Sequence, residues 1–239
     1  MRAGPALNDR QPRQRPKRLR RTICQPQRNE PPLLIVLTGI DGAGKTTAAR
    51  GAVEAARLSG GNALLLRNHA GRRNISQWSK RSGIPLNPRL ADALESVIRT
   101  VNVLVSHARA RNFSGLVVMD RHLYCQLALR NVRGLPPGRL LRWLLRRLPE
   151  PDLVIHFDVA PEQALERILL RGTDTETLEE LTALSEGYRA LPEFPGFIRI
   201  DAGGAQDEVL AALTAAIDAR TPPAIPETSA AGPDRISAR

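Results

Sequence analysis

Cysteine is almost absent from this 239-residue chain: Cys24 and Cys125 form no CxxC pair and have no partner at metal-ligand spacing. A disulfide framework and a structural zinc are therefore not expected. No apolar run approaches the roughly 20 residues that span a bilayer, and the first residues carry no apolar signal core. A cytoplasmic protein with no membrane partner is the expectation. Acidic residues are scarce in one place: up to Asn29, nine basic residues stand against Asp9, a net +8 of the formal +11. This stretch is rich in Pro, Gln and Arg, with too little aliphatic sequence to offset its ordering entropy. Residues 1–30 are read as a disordered basic tail. The tail has no interleaved aromatics on which bases could stack, so at most weak nucleic-acid binding through counterion release is expected of it. It also has no serine, and its prolines interrupt the amphipathic helix of a transit peptide.

Beyond the tail the sequence is regular. Short aliphatic runs alternate with longer helical stretches, the pattern of a parallel sheet covered by helices. Strands are expected at 33–38, 63–66, 116–120, 153–158 and 197–200. Helices are expected at 44–58, 88–112, 137–148, 161–171, 175–191 and 205–219, several with proline near the start, where its missing N–H does no harm. The fold class is α/β, a doubly wound parallel five-stranded sheet, with one domain over 31–220 and a second disordered tail over 221–239. No internal repeat is visible.

The segment GIDGAGKT, 39–46, satisfies GxxxxGK[ST] and lies between an aliphatic strand and the opening of a helix. Gly39, Gly42 and Gly44 allow the backbone to curl until successive N–H groups point inward, and the helix N-terminus adds its partial positive charge. Asp41 and Ala43 complete the loop. Lys45 is placed to neutralise β and γ phosphates, Thr46 to bind Mg2+, and Thr47 to reach the phosphates. ATP and Mg2+ are the expected cofactors. At the end of the third strand, Asp120 and Arg121 put a carboxylate and a guanidinium at the carboxyl edge of the sheet, where ligands of open α/β folds bind. Asp120 suits magnesium-bound water, and the planar fork of Arg121 suits a second phosphate; a local salt bridge between the two is the structural alternative. Of the four histidines, His69, His107, His122 and His156, none has a partner at metal-ligand spacing, and His156 reads as structural. Cys125 has no evident base, and Trp78 and Trp143 read as packing residues, with Trp78 also placed to cover an acceptor.

Taken together and in this order, these segments resemble the thymidylate kinase family. GIDGAGKTT is similar to its P-loop, with Asp41 as the internal acid. DRHLYCQ at 120–126 resembles its "DRY" segment, and PDLVIHFDVAPEQALERILLRG at 151–172 its strand, proline-started helix and lid entrance. LEELTALSEGYRAL at 178–191 resembles the helix after the lid, and IDA at 200–202 the late loop on the adenine side. The resemblance implies a P-loop nucleoside monophosphate kinase fold and an enzyme of nucleotide biosynthesis that moves the γ-phosphoryl of ATP to a nucleoside monophosphate, dTMP first. It implies a catalytic set of Lys45, Arg171, Asp120 and Asp41, with Arg171 acting from a lid near 171–176. Arg167 joins the ATP-side residues, metal falls to Thr46 and Asp120, and Arg67, Arg99, Arg121 and Gln126 bind the acceptor. A homodimer is left open.

The departures cluster at the acceptor site. Glu95 stands where the family carries an aromatic platform, one helical turn before Arg99. RNHAGRRN at 67–74 replaces the run after strand two, His122 replaces a tyrosine, and the Ala-Tyr pair beyond Gln126 is missing. They leave two alternatives: a P-loop kinase of another small-molecule acceptor, or a nucleotide-binding regulatory protein that uses its basic tail.

Overall fold

A computed structural model describes residues 31–68, 88–136, 138–172 and 176–220, and side chains in all of these except 88–92. Both expected tails, Trp78, most of the 67–74 run and the 173–175 centre of the expected lid lie outside the described residues.

The aliphatic runs form the five strands β1 (Leu33–Thr38), β2 (Ala63–Arg67), β3 (Leu116–Asp120), β4 (Leu153–Asp158) and β5 (Ile198–Asp201). They build one parallel sheet in the order β2-β3-β1-β4-β5. Central strands of a parallel sheet are covered on both faces, which is why they read as unbroken aliphatic sequence. Side chains alternate along β1: Ile35 and Leu37 join one buried cluster, Leu34 and Val36 the other.

Helices α1 (Lys45–Leu58) and α7 (Gln206–Arg220), with α5 (Pro161–Arg171), cover the first face. The opposite face takes α2 (Pro88–Arg111), α3 (Leu123–Val132) and α4 (Arg139–Arg147), with Tyr188 from α6 (Leu178–Arg189). A short 3-10 helix (Phe194–Gly196) leads into β5. α6 opens with a capping box in which Thr177 and Glu180 satisfy each other's backbone N–H. α3 was not expected from the sequence; its residues from Leu123 to Ala128 are all buried, so no polar face marks a helical period. Among the described residues no helix is long and apolar enough to cross a membrane.

The register carries the expected site residues to one edge. β1 pairs Leu37 with Asp120, and β2 pairs Arg67 with the same residue, so the ends of β1, β2 and β3 are level.

Candidate active site

The loop after β1 turns because glycine permits it. Gly39 (φ 132°) and Gly42 (φ 83°) occupy backbone space that L side chains rarely enter. A Cβ on Gly39 would lie 2.7 Å from the Phe157 carbonyl oxygen, and one on Gly42 would lie 2.4 Å from that of Ala164. The loop therefore rests directly on β4 and α5. α1 starts from Gly44 without a side-chain cap and with no acidic residue in its first turn. Its first N–H groups and its dipole are left to an anion.

Lys45 is buried and donates to the Ile40 carbonyl at 2.5 Å, with Asp41 Oδ1 3.9 Å away. Burial and then the neighbouring Arg121 charge push its pKa below the ordinary value. Arg121 pairs with Asp41 across the gap between the β3 turn and the loop. Burial alone would raise the Asp41 carboxyl, but Arg121 and then Lys45 outweigh it and hold the group well below the carboxylate range. Burial likewise works against Arg121, and Asp41 keeps it firmly protonated. The structural alternative of an Asp120–Arg121 bridge is thus not what forms: Asp120 Oδ2 accepts from the Thr46 hydroxyl at 2.5 Å.

The residues fit a nucleotide with a divalent cation. Asp120 Oδ1 is buried with no hydrogen-bond partner, directly beside a P-loop hydroxyl. An orphaned carboxylate oxygen next to the Thr46 hydroxyl suits a magnesium ion that takes most of its ligands from water and phosphate.

The residues that the sequence assigns to the acceptor divide. On α2, Arg99 pairs with Glu95 at 3.2 Å, and both are buried. Gln126 on α3 donates to Ser96 on α2. Arg99 Nε and Gln126 Oε1 remain buried without partners. Arg67, by contrast, is exposed at the end of β2. Arg171 is exposed at the last turn of α5, beside 173–175. Arg167 donates to the carbonyls of Ala202 at 2.8 Å and Gly203 at 3.1 Å and ties α5 to the late loop. Gly44 and Thr47 are exposed, and Ala43 is buried.

The sequence carries no signal for several of the contacts made here. Asn68, one residue beyond β2, bonds both the β3 turn and Ser106 of α2. His107 and His122 bring their Nε2 atoms to 2.9 Å, and burial pushes them down to about 4 and about 3. His156 is structural as expected, with Nδ1 3.2 Å from the Thr38 hydroxyl and its ring between Tyr188 and Phe194. Trp143 is not a core packing residue: it is half-exposed, with the Arg147 guanidinium over its ring.

A phosphate-binding loop, a magnesium-competent Thr46–Asp120 pair and guanidinium groups at the facing edge of one parallel sheet define a P-loop phosphotransferase. Comparison with known proteins narrows the class. The sequence pattern of the family described as thymidylate kinase matches residues 37–212. A "Probable thymidylate kinase" of Archaeoglobus fulgidus is 35% identical over 141 residues, covering 59% of this chain and 71% of the relative. A "Thymidylate kinase" of Xanthomonas oryzae pv. oryzae is 32% identical over 187 residues, covering 74% and 79%. A "Probable thymidylate kinase" of Pyrococcus horikoshii is 34% identical over 152 residues, covering 59% and 72%. The chain belongs to the thymidylate kinase family.

Proposed function

We propose that this protein is a thymidylate kinase that moves the γ-phosphoryl group of ATP to dTMP and yields the diphosphate. The observation that carries the reading is the linked set Lys45, Asp41, Arg121, Asp120 and Thr46, in which P-loop and β3 turn are joined by two side-chain bonds. In this reading the backbone of 39–44 and Lys45 hold the phosphates, with Thr47 beside them. Thr46 and Asp120 hold Mg2+, which when bound neutralises charge on the phosphoryl oxygens. Asp41 keeps the Arg121 fork turned towards the acceptor phosphate. Arg99 and Gln126 offer an unpaired donor and an unpaired acceptor to the rest of the acceptor, and Arg67 lies at the mouth. Arg171 acts from the lid entrance on the transferring group, and Arg167 shapes the late loop that borders the adenine. Alignment and charge neutralisation suffice, so no covalent intermediate is needed.

A homodimer fits the same reading. The outer face of α2 exposes Leu94, Val97, Val101, Leu104 and Val105, a stripe at the spacing of a helix–helix seam. A second copy packed on this stripe would bury it symmetrically. The cytoplasmic location expected from the sequence accords with the free, buried thiol of Cys125. The family match weighs against a regulatory protein acting through its tail.

The test is incubation with ATP and Mg2+ over a panel of nucleoside monophosphates, scored for acceptor-dependent ADP. Turnover highest with dTMP is expected; ADP release indifferent to acceptor would refute the reading.

A further inference from the structure

Arg121 is the one non-glycine residue with positive φ, 76°, among the described residues. A side chain larger than glycine's is strained in that region and stays there only when its surroundings fix it. The fixing groups are visible. The Arg121 N–H donates to the Leu37 carbonyl at 3.2 Å, and its carbonyl accepts from Asn68 Nδ2 at 2.7 Å. Asn68 is 1% exposed, and its own N–H donates to the Asp120 carbonyl at 3.0 Å, extending the β2–β3 ladder by one step. Its Oδ1 accepts from the buried Ser106 hydroxyl at 2.7 Å, which sets the orientation of the amide. The neighbouring residue is held from the same helix, His122 by His107.

We propose that Asn68 and Ser106 are positioning residues that lock the strained Arg121 peptide and so aim its guanidinium at the acceptor phosphate. The strands bring Asn68 beside the turn, α2 supplies the hydroxyl that orients its amide, and the amide pins the carbonyl of the residue that carries the fork. Without the clamp the Arg121 peptide is free to relax out of the left-handed region, and the guanidinium leaves its line towards Asp41. The Asn68 and Ser106 side chains bond the Arg121 carbonyl and each other and no P-loop residue, and Asn68→Ala keeps the Asn68 N–H bond to Asp120, so the effect falls more on the acceptor than on ATP. The inference rests on the reading that Arg121 meets the acceptor phosphate.

The test uses the full chain with Asn68→Ala, Ser106→Ala and Ser106→Thr. Asn68→Ala should raise the KM for dTMP about tenfold and leave that for ATP within about twofold, because alignment is lost on one substrate only. Ser106→Ala should shift the same constant less, and Ser106→Thr, which keeps the hydroxyl, should recover it. A merely structural role would not give that split or that recovery. Amide hydrogen exchange supplies a readout free of any acceptor: the Arg121 N–H should exchange about tenfold faster in Asn68→Ala. If Asn68→Ala does not fold, Ser106→Ala carries both measurements. An unchanged dTMP constant, equal losses for ATP and dTMP, or unchanged exchange at Arg121 would each overturn the clamp. Should the wild type fail to phosphorylate dTMP, the functional reading falls, and exchange at Arg121 still decides the clamp.

Discussion

Helices α1 and α2 face the same site in opposite ways. α1 turns Ala48, Ala49, Ala52, Val53 and Ala56 to the sheet and leaves polar residues outside. α2 turns Glu95, Arg99, Ser106 and His107 inward, and exposes Val97 at 58%, Val101 at 50% and Val105 at 52%. Buried polar groups need partners, and exposed apolar stripes need cover. α1 is thus packed on the sheet through an apolar face, whereas α2 buries polar groups and leaves an apolar stripe exposed; in the proposed reading α2 is a wall of the acceptor site and its stripe a dimer seam. The first side follows from one contiguous sequence motif; the second depends on residues spread over the helix.

The sharpest way to separate the two sides is at Lys45. Lys45→Ala should lower kcat by about 10²–10³ with the thermal midpoint preserved, since the group neutralises charge in the site without filling the core; full activity would break the donor assignment. Arg121→Ala should raise the dTMP KM on the order of 10- to 100-fold with a much smaller change for ATP. Arg121→Lys should restore only part, because an ammonium keeps the charge without the fork. The outer face of α2 is tested by Val97→Asp with Val101→Asp: sedimentation should show a dimer becoming a monomer, and an unaltered mass would remove the seam.

Acid should weaken the second face. Burial pushes His107 and His156 down to about 4 in the folded protein, below their ordinary value near 6.5. Between those values the unfolded chain binds more protons, so stability is full above about pH 6.5 and falls as pH drops towards 4. By pH 5 the loss is on the order of 1–2 kcal/mol per histidine. His156→Phe should flatten the profile of thermal midpoint against pH; an unchanged slope would contradict this. The smallest effect belongs to the basic tail, whose removal at Glu30 should move the thermal midpoint by no more than about 2 °C. Loss of folding would show that it docks on the domain.

Where one segment alone defines a feature, the sequence was enough to read it. The strands announce themselves as aliphatic runs, and GIDGAGKT carries its own glycines, lysine and threonine. Asp120 and Arg121 were legible from their place at a strand end, though not their partners. Thr46 and Asp41, 74 and 80 residues away, hold them instead of each other. Asn68 and Ser106 left no trace, because their bond joins segments 38 residues apart and no local period records it. Arg167 is placed on the ATP side by resemblance alone; its bonds to the carbonyls of Ala202 and Gly203 are tertiary contacts that no local segment records. α2 shows why periodicity alone misleads. Its apolar stripe is regular, and the inward face is the other one.

The claim that the β3 edge is built for a phosphate-bearing acceptor is tested most directly by comparing dTMP with thymidine in the wild-type protein, at saturating ATP and Mg2+. A neutral hydroxyl acceptor makes no use of paired guanidinium donors, whereas a phosphate dianion does. The account predicts rapid acceptor-dependent ADP formation with dTMP and little with thymidine. Thymidine proving equal to or better than dTMP would contradict it.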